Sequence, residues 1–327
     1  MAILEKRNTS YSLLKEKQRA KLCFQAFGTT CNLDLPYSKN FNVDFICEEV
    51  VSWVNHFQQR YSRYLENSWV SEVNRAAGKE MVALTKEDYE ILQAATFAFF
   101  LSKHAIDPSC LPLTKIWQNA TASKVLPEEK KVLQARDLVN WNYVEYTPNE
   151  IFLPKAGMGL DFGGFGKELA IDKITGLLKS HGVENFLINF GGDIFAAGYA
   201  DHGEDWKVGI ENPNQEAKPA YVIKLKDHAL ASSGNYRKFF DVGDKRYGHT
   251  LDPRTGYPTI HSQLSASIVN PSCMKAGILS TSCLLNGQEK GLQMIEAEWG
   301  TEGCIQSLDS CSTSNRFYDY ILYEDSI

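Results

Sequence analysis

The sequence predicts a single domain in which helices and paired strands are interleaved. Three observations carry this reading. Apolar residues recur at helical spacing over 43–60, 85–103 and 274–297. Short alternating or apolar runs read as strands at 20–35, 186–190, 206–213, 220–234 and 265–270. No linker, repeat or low-complexity stretch divides the chain.

The chain has 327 residues, 43% of them hydrophobic, enough to bury a sizeable core. A net charge of −6 without a long basic run argues against a nucleic-acid or membrane-surface binder. No apolar stretch is long enough to cross a bilayer. The polar start, MAILEKRNTSYSLLKEKQRAK, has no apolar h-region or small-residue cleavage site. As written, the chain therefore reads as cytoplasmic. A chain trimmed of an export signal would look the same and would be periplasmic. The eight cysteines form no C-x-x-C pair, which speaks against zinc and for reduced thiols.

Residues 1–19 read as a polar lead-in, a helix packed outside the domain of residues 20–327. Residues 20–35 suggest a strand pair turning near Gly28. Val43, Ile46, Val50, Val51, Val54 and Phe57 mark the first helix. Residues 61–78 read as a loop with a short helix. Thr85 with Asp88 forms a capping-box variant opening the helix over 85–103. AIDPSCLPLTKIW (105–117) reads as a loop fixed by two prolines, and 121–142 as a surface helix. YVEYTPNEIFLPKAG (143–157) fits a hairpin turning at Pro148–Asn149. KRYGHTLDPRTGYP (245–258) is a turn-rich loop, Gly287 breaks a helix pair, and YDYILYE (318–324) reads as a last strand.

The most informative stretch is 157–198. Gly157, Gly159, Gly163, Gly164 and Gly166 precede a helix that ends at Gly182, followed by a buried strand and a second glycine turn at Gly191–Gly192. Closely spaced glycines let a backbone approach a ligand, helix-start amides can face phosphate oxygens, and Lys167 can add a charge. The same glycines could also simply reverse the chain. The pattern is neither the dinucleotide fingerprint nor a Walker A loop, because Lys167 is followed by Glu168. Asp161 is best placed to touch a ligand. Asp172 would cap or pair on its helix, and Asp193 would close an Asx-type turn. His249, in YGHTLDPRTG, either shuttles protons or braces a proline turn. Ser280 and Thr281 either present hydroxyls or bond back to their own helix. No G-x-S-x-G elbow is present.

Taken together, QAFGTT (25–30), YSRYLENSWVSEVN (61–74), AIDPSCLPLTKIW (105–117), LDFGGFGKELAID (160–172), INFGGDIFAAG (188–198), WKVGIENP (206–213), SSGNYRKFF (232–240), YGHTLDPRTGYP (247–258) and AGILSTSCLLNG (276–287) resemble the ApbE family in the family's order. Its members are flavin transferases that move FMN from FAD onto a protein threonine. The resemblance implies a single α+β domain with mixed or antiparallel sheets and packed helices, with an FAD cleft between them. It implies Mg²⁺ on the pyrophosphate, attack by a threonine hydroxyl of an acceptor flavoprotein, and release of AMP. The alternative is a non-catalytic FAD-binding relative, a flavin carrier or electron-transfer partner.

Position by position, the resemblance implies flavin contacts for Phe27, Tyr64, Ala105, Ile106, Asp107, Asp161, Lys167 and Leu251. Lys167 also joins His249 as a catalytic candidate, His249 for proton transfer or substrate orientation. It implies metal contacts for the Gly164 carbonyl, Thr281 and Ser280, and at position 277. There this chain departs: the family's metal-ligating aspartate is Gly277. The family's A-M-G-T is Ala26–Phe27–Gly28–Thr29, and its A-K-G is Gly166–Lys167–Glu168. Mg²⁺ usually takes one or two carboxylates plus substrate phosphates. Pyrophosphate oxygens, Asp161 or Glu168 are the available replacements.

Overall fold

The computed structural model describes residues 2–6, 9–37, 41–215, 218–234, 239–242, 245–248, 250–259 and 263–322. Where a helix was expected at the N-terminus, it has two strands, β1 (Ala2–Lys6) and β2 (Thr9–Lys15). The reason is pairing across the chain. β2 runs antiparallel to β3 (Arg19–Ala26), setting Tyr11 opposite Phe24 and Leu13 opposite Leu22, and all four are buried. Alternate residues thus face the core with the period of a strand. β3 and β4 (Thr29–Pro36) form the expected hairpin. Its two-residue turn holds Phe27 at φ +53° and Gly28 at φ +69°, the left-handed pair that such turns require.

α1 (Val43–Tyr61) starts where the Asn42 side chain accepts from the Phe45 amide, and buries Ile46, Val50, Val54 and Phe57. α2 (Trp69–Ala76) follows, then β5 (Val82–Ala83) and α3 (Lys86–Leu101), whose Thr85–Asp88 capping box is present in full. The expected two-proline loop ends early. α4 (Leu111–Ser123) begins inside it with Pro112 in the first turn, where a missing N–H costs nothing. α5 (Glu129–Arg136) and the hairpin β6 (Glu145–Tyr146) and β7 (Glu150–Phe152) match expectation.

α6 (Gly166–Ser180) leaves the glycine loop, and Gly182 follows it at φ +75°. Then come β8 (Phe186–Phe190), β9 (Asp193–Ala197), β10 (Trp206–Glu211), β11 (Pro219–Leu225) and β12 (His228–Gly234). The turn-rich segment is more ordered than expected. It holds β14 (Lys245–Gly248), paired with β13 (Phe239–Val242), and the small hairpin of β15 (Leu251–Asp252) with β16 (Tyr257–Pro258). β17 (Ser265–Asn270) is buried at every position. α7 (Cys273–Asn286) and α8 (Gln288–Ala297) are separated at Gly287. The sheet closes with β18 (Glu302–Gln306) and β19 (Cys311–Thr313). Of the last strand expected over 318–324, residues 317–320 form a 3₁₀ turn, Ile321 makes a single antiparallel bridge to Ile223 on β11, and 323–324 lie outside the described residues.

Among the described residues, one antiparallel sheet runs β1-β2-β3-β4-β8-β9-β12-β17-β18-β19. The fold is thus α+β with antiparallel sheets. One core cluster packs α1 and α6 on this sheet through Val50, Val54, Ile171, Leu178, Leu22 and Leu33. A second joins α2 and α3 to the glycine-rich segment and α7 through Phe99, Leu160, Phe165 and Ile278. Phe27 packs against both, so the seam between them runs beside the glycine loop. Burying Phe165 completely contributes roughly 2–3 kcal/mol and anchors the start of α6. All eight cysteines are free thiols, most of them buried. No helix among the described residues is long and apolar enough to cross a membrane.

Candidate active site

The glycine loop is held from three sides. The Asn74 side chain brackets Leu160, accepting from its amide at 2.6 Å and donating to its carbonyl at 3.1 Å. Gly159 bridges to Cys110, and a Cβ there would lie 2.7 Å from Leu111 Cδ2, so a side chain would push Leu111 aside. The Asp161 amide donates to the Pro108 carbonyl at 2.8 Å. Asp161 itself closes an Asx turn, its Oδ1 accepting from the Gly163 amide at 2.9 Å. Its Oδ2 pairs with Arg63 Nε at 2.7 Å, with both side chains largely buried. Gly163 and Gly164 remain exposed, and the residue at the start of α6, Phe165, supplies no side-chain cap. An uncapped helix start beside exposed glycines is a ready anion site.

Just inside this turn lies a charged cluster. Lys167 Nζ donates to Asp193 and, at 3.2 Å, to the Phe190 carbonyl, and stands 3.5 Å from Glu168 Oε1. Its ammonium is turned inward, toward the two carboxylates. Burial opposes its charge, but Glu168 and Asp193 outweigh burial and raise its pKa. Asp193 does not close the expected Asx turn. It begins β9 with its carboxylate on Lys167 and the Ser232 amide, the latter at 3.1 Å. Burial first, and the Glu168 charge second, push Asp193 up to about 8.

The facing wall is α7. Asp172, on α6, accepts from the Ser272 hydroxyl at 2.7 Å and from the amides of Cys273 at 2.7 Å and Met274 at 3.0 Å. It caps the neighbouring helix rather than its own. Ser280 and Thr281 meet on Ser233 Oγ, at 2.7 and 2.9 Å, and Ser280 also bonds back to the Gly277 carbonyl at 3.0 Å. Gly277 faces α6: a Cβ on it would lie 2.6 Å from Glu168 Cγ.

The remaining candidates are distributed around the loop. Ile106 lies against it, its Cγ2 3.3 Å from where a Gly164 Cβ would be, with Ala105 buried beside it. Asp107 follows in the same loop. Its buried carboxylate is committed to the Ser109 amide and hydroxyl and to the Trp141 amide, so it organises the loop. Tyr64 is 73% exposed, with the Arg63 guanidinium stacked 4.1 Å from its ring. Phe27 packs edge-on to Phe57 and tilted to Phe190, and its amide donates to Gln58 Oε1 at 2.6 Å. Leu251 packs with Leu113, Val132 and Ala135. Asp252 is held by Arg254, which also reaches Asn286 and the Leu285 carbonyl and fastens the segment to α7. His249 lies outside the described residues.

Arg63 and Asn74 were not singled out in the sequence, although both sit in the 61–74 segment, and an arginine beside an aromatic residue was the available signal. No group of three or more His, Cys, Asp or Glu among the described residues could hold a metal alone. A cation here would need ligands from elsewhere, such as phosphates. The arrangement can therefore bind a phosphate-bearing ligand at the start of α6 and present hydroxyl and carboxylate oxygens beside it.

Comparison with known proteins agrees with this geometry. The model of the ApbE family matches residues 27–305. An FAD:protein FMN transferase of Treponema pallidum is 30% identical over 300 residues, covering 86% of this chain and 82% of the relative. One from Vibrio cholerae is 26% identical over 294 residues, 86% of each chain. Among solved structures, the ApbE protein of Thermotoga maritima superposes with a TM-score of 0.84 at 25% identity, covering 94% of this chain and 100% of that one. The flavin transferase ApbE of Vibrio cholerae superposes at 0.83 with 23% identity, covering 93% and 99%. With the family model spanning most of its length, this chain belongs to the ApbE family.

Proposed function

We propose that the chain is an FAD:protein FMN transferase, acting with a divalent cation, Mg²⁺ in the first instance. The observation that carries this reading is the meeting of three features at one place. These are the uncapped start of α6 with its exposed glycines, the Lys167–Glu168–Asp193 cluster, and the hydroxyl-bearing face of α7. The family and its transferase relatives supply the class of reaction.

In this reading the pyrophosphate of FAD lies over the exposed Gly163 and Gly164, against the positive end of the α6 dipole. A threonine hydroxyl of the acceptor attacks the FMN phosphorus. The new oxygen–phosphorus bond forms as the bond to the bridging oxygen breaks, AMP leaves, and FMN stays in phosphoester linkage. The hydroxyl proton is assigned to His249. Lys167 is a positioning residue, holding Glu168 and Asp193 beside one another. The Gly164 carbonyl, Thr281 and a carboxylate would hold the cation, and the unpartnered buried Glu168 Oε2 fits such a group. The cation supplies charge withdrawal from the phosphates.

Chromatography of FAD, FMN and AMP after incubation with a threonine-bearing acceptor tests this. AMP that appears only with acceptor supports transfer. Free FMN and AMP without acceptor would make the chain a hydrolase, and FAD that stays intact would make it a flavin carrier.

A further inference from the structure

Two departures that stand far apart in the sequence, Glu168 and Gly277, meet in the fold. A Cβ at Gly277 would lie 2.6 Å from Cγ and 3.1 Å from Cδ of Glu168. At 2.6 Å the two carbons would overlap. The glutamate on α6 therefore occupies the volume that any side chain at 277 on α7 would claim, and it fits because 277 is glycine.

The Glu168 side chain is 13% exposed, and its Oε2 is buried without a hydrogen-bond partner. A buried carboxylate oxygen left unpaired is costly and calls for a ligand to complete it. Lys167 does not do so: it stands 3.5 Å from the other oxygen and donates to Asp193 and the Phe190 carbonyl. The other nearby carboxylates are committed. Asp161 is held by Arg63 and the Gly163 amide, Asp172 by the start of α7, and Asp193 by Lys167, the Ser232 amide and a hydrogen bond to the Glu168 carboxylate, whose Oε2 stays without a partner. One turn along α7 from Gly277, Ser280 and Thr281 carry hydroxyls on the same side of the helix. Carboxylate and hydroxyl oxygens are the donors that a hard divalent cation takes, together with substrate phosphates.

We propose that Glu168 is the carboxylate ligand of the divalent cation, delivered from α6 into the space that Gly277 leaves open on α7. This rests on the flavin-transferase reading.

The test uses Mn²⁺ as probe, with free ion followed by electron paramagnetic resonance in the presence of FAD. FAD binding to each protein without metal is measured separately by flavin fluorescence. Native chain, Glu168→Gln and the exchange variant Glu168→Gly/Gly277→Asp are compared. Glu168→Gln is expected to weaken Mn²⁺ binding by roughly tenfold or more, with metal-free FAD affinity within about threefold of native. The exchange variant, which moves the carboxylate to α7 and removes the clash, is expected to recover Mn²⁺ affinity to within about threefold. Native Mn²⁺ affinity in Glu168→Gln, or no recovery in the exchange variant, overturns the proposal and leaves the transferase reading standing. A native chain that binds no FAD overturns both.

Discussion

Asp172 on α6 caps α7: its carboxylate takes the Ser272 hydroxyl and the amides of Cys273 and Met274, each within 3.0 Å. One residue thereby sets the helix bearing Lys167 and Glu168 against the helix bearing Gly277 and Thr281. Removing it leaves three donors without an acceptor. Asp172→Ala is expected to cost about 2–4 kcal/mol in urea unfolding, and Asp172→Asn about half as much. Transfer activity should fall in both, because the two walls of the site lose their common fixing point. An unchanged midpoint for the alanine variant would contradict this role.

Arg63 links Asp161 to Tyr64 through its ion pair and its stacking on the ring. Arg63→Ala is expected to free the loop and lower FAD affinity about tenfold in a fluorescence titration. Arg63→Lys keeps the charge but loses the planar fork, and should recover little of it.

Asp88 should dominate the acid limb of stability. It is fully buried and accepts from Arg60, from the Tyr61 hydroxyl at 3.0 Å and from the Thr85 amide at 2.7 Å. Burial works against its charge, but Arg60 and the Thr85 cap win, so its pKa lies below the ordinary value. The folded state therefore binds the proton less readily than the unfolded chain. The stabilisation is complete above the unfolded pKa of about 4 and is lost as pH falls through the lower folded value. Asp88→Asn is expected to cost about 3 kcal/mol at neutral pH and to flatten the acid limb, as read by thermal unfolding from pH 7 to 3.

Cys311 should be the reactive thiol. It is exposed on β19, next to β18, which carries the buried Cys304. A hydrogen bond from Cys304 lowers its pKa to about 6; burial opposes this, and a bond from the Tyr221 hydroxyl adds to it. Its lowered pKa sets it apart from the buried cysteines, so iodoacetamide should label Cys311 ahead of the other seven cysteines. Cys304→Ala should slow that labelling about tenfold at pH 6.

Local signals made much of this fold legible. The Thr85–Asp88 box, the helical spacing of 43–60 and the Gly287 break each depend on residues within a turn of one another, and each was found. Pairing partners far along the chain were not legible. Residues 9–15 become a strand because β3 lies beside them, and β18, EGCIQ, lacks the apolar run that marked β8. The site divides in the same way. The glycine loop, Lys167 and Thr281 were visible as motifs. The inward turn of Lys167 onto Asp193, and the filling of the space at Gly277 by Glu168, depend on how α6 packs against β9 and α7. Spacing alone does not reveal such packing.

The most direct measurement is mass spectrometry of a threonine-bearing acceptor peptide after incubation with the native chain, FAD and Mg²⁺, with a chelator control and a peptide carrying valine in place of the threonine. The account predicts FMN on the threonine, released AMP in equal amount, and neither in the two controls. An unmodified peptide with FAD intact would contradict it.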